Sequence, residues 1–114
     1  MNSTMSNYTL VSSKLVKVND SLYRHYCPAC NLMHPVHVNP VGEAGDKWAW
    51  NGDVEKPTCT PSLKQSNWQV DRPKTCHYFI LDGTLQYCTD SDHALAGQTI
   101  ELPDVPGNFE DVLF

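Results

Sequence analysis

The chain has 114 residues, with 8 Lys and Arg against 13 Asp and Glu, which gives a formal net charge of −5. A chain of this length forms one hydrophobic core, so we expect a single domain. There is no run of Lys or Arg, which disfavours direct nucleic-acid binding through phosphates. No stretch reaches the roughly 18 apolar residues of a membrane span or resembles a signal peptide, so we expect no membrane contact and a cytoplasmic location.

The first predicted elements lie before the cysteines. Residues 1–13 are polar and predict a flexible N-terminal arm, followed by one domain over residues 14–114. In KLVKVNDSLYRHYC, alternating residues flank Asn19 and Asp20, which predicts a strand, a turn and a second strand that leads into Cys27.

The stretch RHYCPACNLMHPVH places two cysteines and three histidines close together. The CPAC turn allows Cys27 and Cys30 to supply half of a tetrahedral zinc site. Five cysteines without an export signal favour metal ligation or free thiols over disulfides. Cys76 is the predicted third ligand, because it begins a strand on the buried face. For the fourth ligand we favour His34, close behind Cys30, over His77.

Three thiolates and one imidazole form a closed site, which is typical of structural rather than catalytic zinc. We therefore predict that one structural Zn²⁺ stabilises the fold. The predicted metal ligands are Cys27, Cys30, His34 and Cys76. Cys59 and Cys88 are interpreted as small core residues.

The middle of the chain carries loop and hairpin signals. Residues 38–47 contain Pro and Gly and predict a loop. Trp48 and Trp50 alternate before Asn51-Gly52, a strong hairpin signal. PTCTPSL, residues 57–63, holds two prolines and predicts an extended, partly edge-like segment.

CHYFILDGTLQYCTD predicts a hairpin with Asp82-Gly83 as its two-residue turn, between strands 76–81 and 84–89. Its register places Cys76, Tyr78, Ile80, Leu85 and Tyr87 on the better core face. A strand in QTIEL and a helical turn in NFEDVLF complete the chain. The pattern predicts a mainly β, compact antiparallel domain stapled by one zinc knuckle, with little helix; a small α+β domain is the alternative.

Six motifs together resemble a family of short phage and prophage proteins, some of which carry the label ammonia monooxygenase. In this chain they are CPxC with a following His, WxWNGD, PTxxPSL, CHxF, DG and DSxHxLAGQT, over residues 27–102. The resemblance implies a phage-encoded zinc-binding protein in the host cell cytoplasm. It also implies a set of metal-type residues: Cys27, Cys30, His34, Cys76, His77 and His93. A monooxygenase of the labelled type is a membrane enzyme, which disagrees with this sequence.

The sequence is compatible with two different functions. The first is a binding protein that engages a host or phage protein, for example as an inhibitor of a host defence protein, through its acidic surface. The alternative is a small metal-dependent or His-dependent hydrolase that uses His77 and His93 as base and acid or as ligands of a catalytic ion. Asp90 or Asp92 could then orient a histidine. The residues expected to assist are Asp53, Asn51 and Ser62. The sequence leaves enzymatic activity open.

Overall fold

A computed structural model describes residues 8–39, 45, 47–66 and 75–112. The first sheet contains, side by side, β1 (Thr9–Leu10), β2 (Val16–Asn19), β3 (Leu22–Cys27) and β4 (Leu32–His37). The second contains, in order, β5 (Ala49–Trp50), β6 (Cys59–Ser66), β7 (Thr75–Leu81), β8 (Thr84–Tyr87) and β9 (Thr99–Glu101).

Neighbouring strands in both sheets are antiparallel, and a 3₁₀-helical turn spans Phe109–Val112. The predicted mainly β fold with little helix is therefore confirmed. No helix within the described ranges has the length and apolar composition that membrane crossing needs.

The N-terminal half forms hairpins around the CPAC turn. The predicted strand pair before Cys27 is confirmed as β2 and β3. The chain then turns through residues 28–31, where Asn31 adopts φ 57°, a left-handed conformation that Asn tolerates better than most residues. β4 follows and pairs with β3 along its length, so that His25 lies opposite His34. β4 was not predicted from the sequence, and Pro35 lies near its centre.

The hairpin of β7 and β8 is confirmed in turn and register. Ile80 pairs with Leu85 and Tyr78 with Tyr87. Asp82 and Gly83 both have positive φ, 48° and 77°, as a two-residue turn that matches the strand twist requires.

The hairpin predicted at Asn51-Gly52 is present, but its connection is longer than a two-residue turn. β5 and β6 are antiparallel and are joined by residues 51–58. The Asn51 side-chain oxygen accepts hydrogen bonds from the Asp53 and Thr58 amides, and the Asp53 carboxylate accepts from the Glu55 and Lys56 amides. Side-chain hydrogen bonds of this kind stabilise a wider loop than the local dipeptide predicts.

The inner faces of the two sheets form the core. The residues predicted for the core face of β7 and β8 are buried: Cys76, Tyr78, Ile80, Leu85 and Tyr87. A buried hydrogen bond of 2.6 Å between His25 Nε2 and the Tyr78 hydroxyl joins the first sheet to the second. Burial is the larger cause and the neighbouring His34 the smaller cause that together lower the pKa of His25 to about 4. The ring is therefore neutral at neutral pH. Its Nε2 accepts a hydrogen bond from the Tyr78 hydroxyl, and no charge is buried.

Parts of the predicted arm and loops lie outside the described residues, namely 1–7, 40–44 and 46. Of the remaining arm, Thr9–Leu10 pairs with β2. Val38, just after β4, forms a parallel bridge to Trp48, just before β5, so the two sheets are also joined along the chain. The predicted last strand and final helical turn correspond to β9 and Phe109–Val112.

The Asp82-Gly83 turn can be tested with Gly83→Ala. An added Cβ would lie 3.1 Å from Lys56 Cα, and φ of 77° strains any L side chain. We expect a loss of about 1–2 kcal/mol in unfolding free energy, measured by urea denaturation. Gly107→Ala is the matched control, because nothing lies within 4 Å of its added Cβ. Equal stability of the two variants would contradict the assigned turn.

Candidate functional site

Four predicted metal ligands meet between the two sheets. Cys27 ends β3, Cys30 lies in the following turn, His34 lies in β4 and Cys76 lies near the start of β7. One ligand atom from each lies within 4.8 Å of the others, and all four residues are buried. His34 belongs to this cluster, whereas His77 points to the other face of β7.

The cluster has the spacing and chemistry of a metal site. Cys27 Sγ and Cys76 Sγ are 3.8 Å apart, and two sulfurs bound tetrahedrally to one zinc ion at 2.3 Å would be about 3.8 Å apart. Hydrogen bonds from Cys30 and then Cys76 hold the pKa of Cys27 well below its ordinary value. Cys27 and Cys30 in turn raise the pKa of Cys76. Without a cation, the sulfurs therefore resist being ionised at the same time. A bound cation would stabilise all of the thiolates.

Tyr87 at the end of β8 and His93 in the loop between β8 and β9 donate hydrogen bonds to the sulfurs. The Tyr87 hydroxyl lies 3.1 Å from Cys27 Sγ. His93 Nδ1 accepts from the Leu95 amide, so the neutral ring carries its proton on Nε2, 3.4 Å from Cys76 Sγ. Burial lowers the pKa of His93, which favours that neutral form. Such donors orient metal-binding thiolates and offset their charge.

On the opposite face of β7, His77 connects a hydroxyl and a carboxylate. His77 Nε2 lies 2.9 Å from Ser62 Oγ, and His77 Nδ1 lies 3.0 and 3.1 Å from the two Asp90 oxygens. Nδ1–H donates to the carboxylate, so Nε2 is left as the acceptor of the Ser62 proton. This is the hydrogen-bond pattern of a Ser-His-Asp catalytic triad. The His77 and Asp90 side chains are 26% and 58% exposed, so both are accessible from solvent.

A bulge in β6 places Ser62 beside His77. Cys59 pairs with Ile80 and Leu63 with Tyr78, so the register shifts between them. Three residues of β6, Thr60, Pro61 and Ser62, therefore lie opposite the single residue Phe79 of β7. Bulges re-aim side chains and are frequent beside active sites.

The loop after β8 is held against β7 by three consecutive side chains. Asp90 binds the His77 ring. Ser91 Oγ accepts from the His77 amide at 3.0 Å and donates to the His77 carbonyl at 2.8 Å. Asp92 accepts from the Thr75 amide at 3.0 Å. These bonds fix the carboxylate of Asp90 relative to the histidine it orients.

His77 and His93, predicted as base and acid, and Asp53, predicted to assist them, lie in different places. His77 lies in the triad, and His93 contacts Cys76 Sγ on the metal side. Asp53 stabilises the loop after β5, and backbone hydrogen bonds from Lys56 and Glu55 lower its pKa. Ser62 and Asp90 were expected only to assist. Three of the motifs each contain one triad residue, PTxxPSL, CHxF and DSxH, but nothing in their spacing shows that they meet.

The remaining cysteines are not in the metal cluster. Burial raises the pKa of the Cys59 thiol to about 12. Cys88 lies close to the triad, with its sulfur within 4.8 Å of a His77 nitrogen and an Asp90 oxygen. Burial and the charge of Asp90 raise the pKa of Cys88, so its reactive thiolate form is disfavoured.

A family model described as "Bacterial ubiquitination-like system serine protease (BubE)" matches residues 2–88, more than half of the chain. The chain belongs to the BubE family. Ser62 and His77 lie inside the BubE match, and Asp90 follows two residues after its end. No curated protein and no solved structure matches the chain. The BubE description refers to a bacterial system, and the phage origin inferred from the motifs stays a prediction.

Proposed function

We propose that this protein is a serine hydrolase that cleaves peptide or related acyl bonds in proteins of a bacterial ubiquitination-like system. The observation that supports the proposal most strongly is the continuous hydrogen-bond chain from Ser62 Oγ through His77 to Asp90. The BubE family description, a serine protease, agrees with these residue types.

In the proposed reaction, the triad activates Ser62. As Ser62 Oγ attacks the substrate carbonyl carbon, His77 Nε2 takes the hydroxyl proton. Asp90 accepts from Nδ1–H and stabilises the positive charge that develops on the ring. His77 then gives its proton to the leaving group, and an acyl ester remains on Ser62.

Water completes the cycle at the same residues. His77 Nε2 removes a proton from the attacking water, which forms a bond to the acyl carbon. The bond from that carbon to Ser62 Oγ then breaks, and the proton returns to the serine. The exposure of His77 and Asp90 at the surface lets water and product exchange directly.

We also propose that the ion of the buried cluster is structural Zn²⁺, held by Cys27, Cys30, His34 and Cys76. Sulfur-rich donor sets favour zinc over harder ions, and four protein ligands leave no position for a reacting water. Three ligands come from β3, β4 and the turn between them, and one comes from β7, so the ion would join the two sheets next to His77.

A competing proposal is binding without catalysis, for example inhibition of a host protein by a phage-encoded chain. The acidic net charge of −5 is compatible with it. Binding alone does not require Ser62, His77 and Asp90 to be aligned, and the hydrolase proposal accounts for that alignment. The two proposals differ in their dependence on the Ser62 hydroxyl.

The triad can be tested with a small fluorophosphonate, which reacts with activated serines. We expect the wild type to form a covalent adduct on Ser62, with loss of fluoride, and Ser62→Ala to form none. Asp90→Asn should slow labelling by roughly 10³–10⁴-fold, because the histidine loses its orienting acceptor. Rates are measured by intact-protein mass spectrometry.

Cys88→Ala is the control for the triad test and should be labelled at the wild-type rate, because the thiol has no role in the proposed reaction. Adduct formation that persists in Ser62→Ala, or depends on Cys88, would reject Ser62 as the nucleophile.

The metal proposal predicts one zinc ion per chain, measured by elemental mass spectrometry on protein purified without chelator. His34→Ala should lose the ion and lower the melting temperature, because structural zinc contributes directly to folding free energy. His77→Ala and Cys59→Ala should both retain zinc, since neither lies in the cluster. Loss of zinc in His77→Ala with retention in His34→Ala would contradict the assigned ligand set.

A further inference from the structure

The outer edge of β6, which faces away from β7, runs past Ser62. Within the described residues, β5 pairs with this edge only at Cys59 and Thr60. Just beyond, Trp48 Nε1 donates to the Ser62 carbonyl at 3.1 Å. Because Trp48 immediately precedes β5, this bond shows that the Ser62 carbonyl points away from β7.

The main chain of Lys64 points in the same direction. Lys64 lies opposite His77 in the β6–β7 pair. The His77 amide donates to Ser91 Oγ, and the His77 carbonyl accepts from the Cys88 amide at 2.8 Å. Both His77 groups therefore point away from β6, and this pair does not exchange hydrogen bonds. It follows that the Lys64 amide and carbonyl point to the outer edge.

A cavity of about 240 Å³ adjoins this edge. It is bounded by residues of β4, of β6 and of the segment that precedes β5: Pro35, His37, Trp48, Leu63, Lys64 and Gln65. The cavity therefore touches the residue that follows Ser62 and the indole that binds the Ser62 carbonyl. Side chains of a bound extended chain would alternate between this cavity and the outside.

We propose that an extended peptide segment of the substrate binds as an added strand on the outer edge of β6, hydrogen-bonded to the main chain of Lys64, with its scissile carbonyl at Ser62. This inference rests on the proposed hydrolase function. Strand addition draws affinity from main-chain hydrogen bonds and specificity from alternate side chains. The substrate class is thus an unfolded tail or linker, and a compact folded surface is excluded.

The protein side of the proposal is tested at Lys64 with two probes. A tetra-alanine diphenyl phosphonate requires the strand contact, and an ethyl fluorophosphonate reacts with Ser62 without it. Lys64→Pro removes the outward amide and should slow the peptide probe about tenfold, the effect of one hydrogen bond, with the small probe unchanged. Lys64→Ala keeps the amide and is the reference variant, so the ratio of the peptide-probe rates in Lys64→Ala and Lys64→Pro measures the effect of the amide alone. Equal rates in Lys64→Pro and Lys64→Ala would overturn the proposal.

The probe side is tested on the wild type, so the result does not depend on folding of a variant. Each amide of the tetra-alanine phosphonate is N-methylated in turn. An added strand presents alternate amides to its neighbour, so methylation should slow labelling at alternate positions only. Uniform sensitivity or none would overturn strand addition. If the small fluorophosphonate fails to label Ser62 at all, the hydrolase proposal itself fails, which separates the two failures.

Discussion

Successive side chains of a β-strand point to opposite faces, and this constraint at Cys76 and His77 links the two halves of the site. Cys76 points inward to the sulfur cluster between the sheets, and His77 points outward to Ser62 and Asp90. Because both side chains belong to β7, the position of one depends on the position of the other. Any displacement of β7 that opens the buried cluster also moves the imidazole away from its serine and its carboxylate.

A metal ion in the cluster would hold β7 in position and would take no part in a reaction. The ligands before β7 come from the hairpin of β3 and β4, which belongs to the other sheet. In a small domain, a bound ion supplies stability that a limited apolar core does not. The buried neutral pair of His25 and Tyr78 adds a second polar link between the same sheets. Rigid support on the inner face would let the outer face stay exposed, as the proposed hydrolase function requires.

Local chemistry was enough to predict several parts of the structure from the sequence. The Asp82-Gly83 turn sets its own register, and the alternation around it shows which face is buried, so Cys76 could be placed correctly. Ser62 was harder to assign, because its position depends on a bulge that no local pattern reveals. Asp90 meets His77 only because Ser91 and Asp92 hold the following loop to β7. β4 was not predicted, and it tolerates Pro35 because it lies at the edge of the first sheet.

The most direct test of this account is a crystal structure of the protein after reaction with diisopropyl fluorophosphate, with diffraction recorded on both sides of the zinc absorption edge. We expect a phosphoryl group on Ser62 Oγ, His77 still bound to Asp90, and one anomalous zinc peak among Cys27, Cys30, His34 and Cys76. A zinc peak at His77, Cys88 and Asp90, or an adduct on a residue other than Ser62, would contradict it.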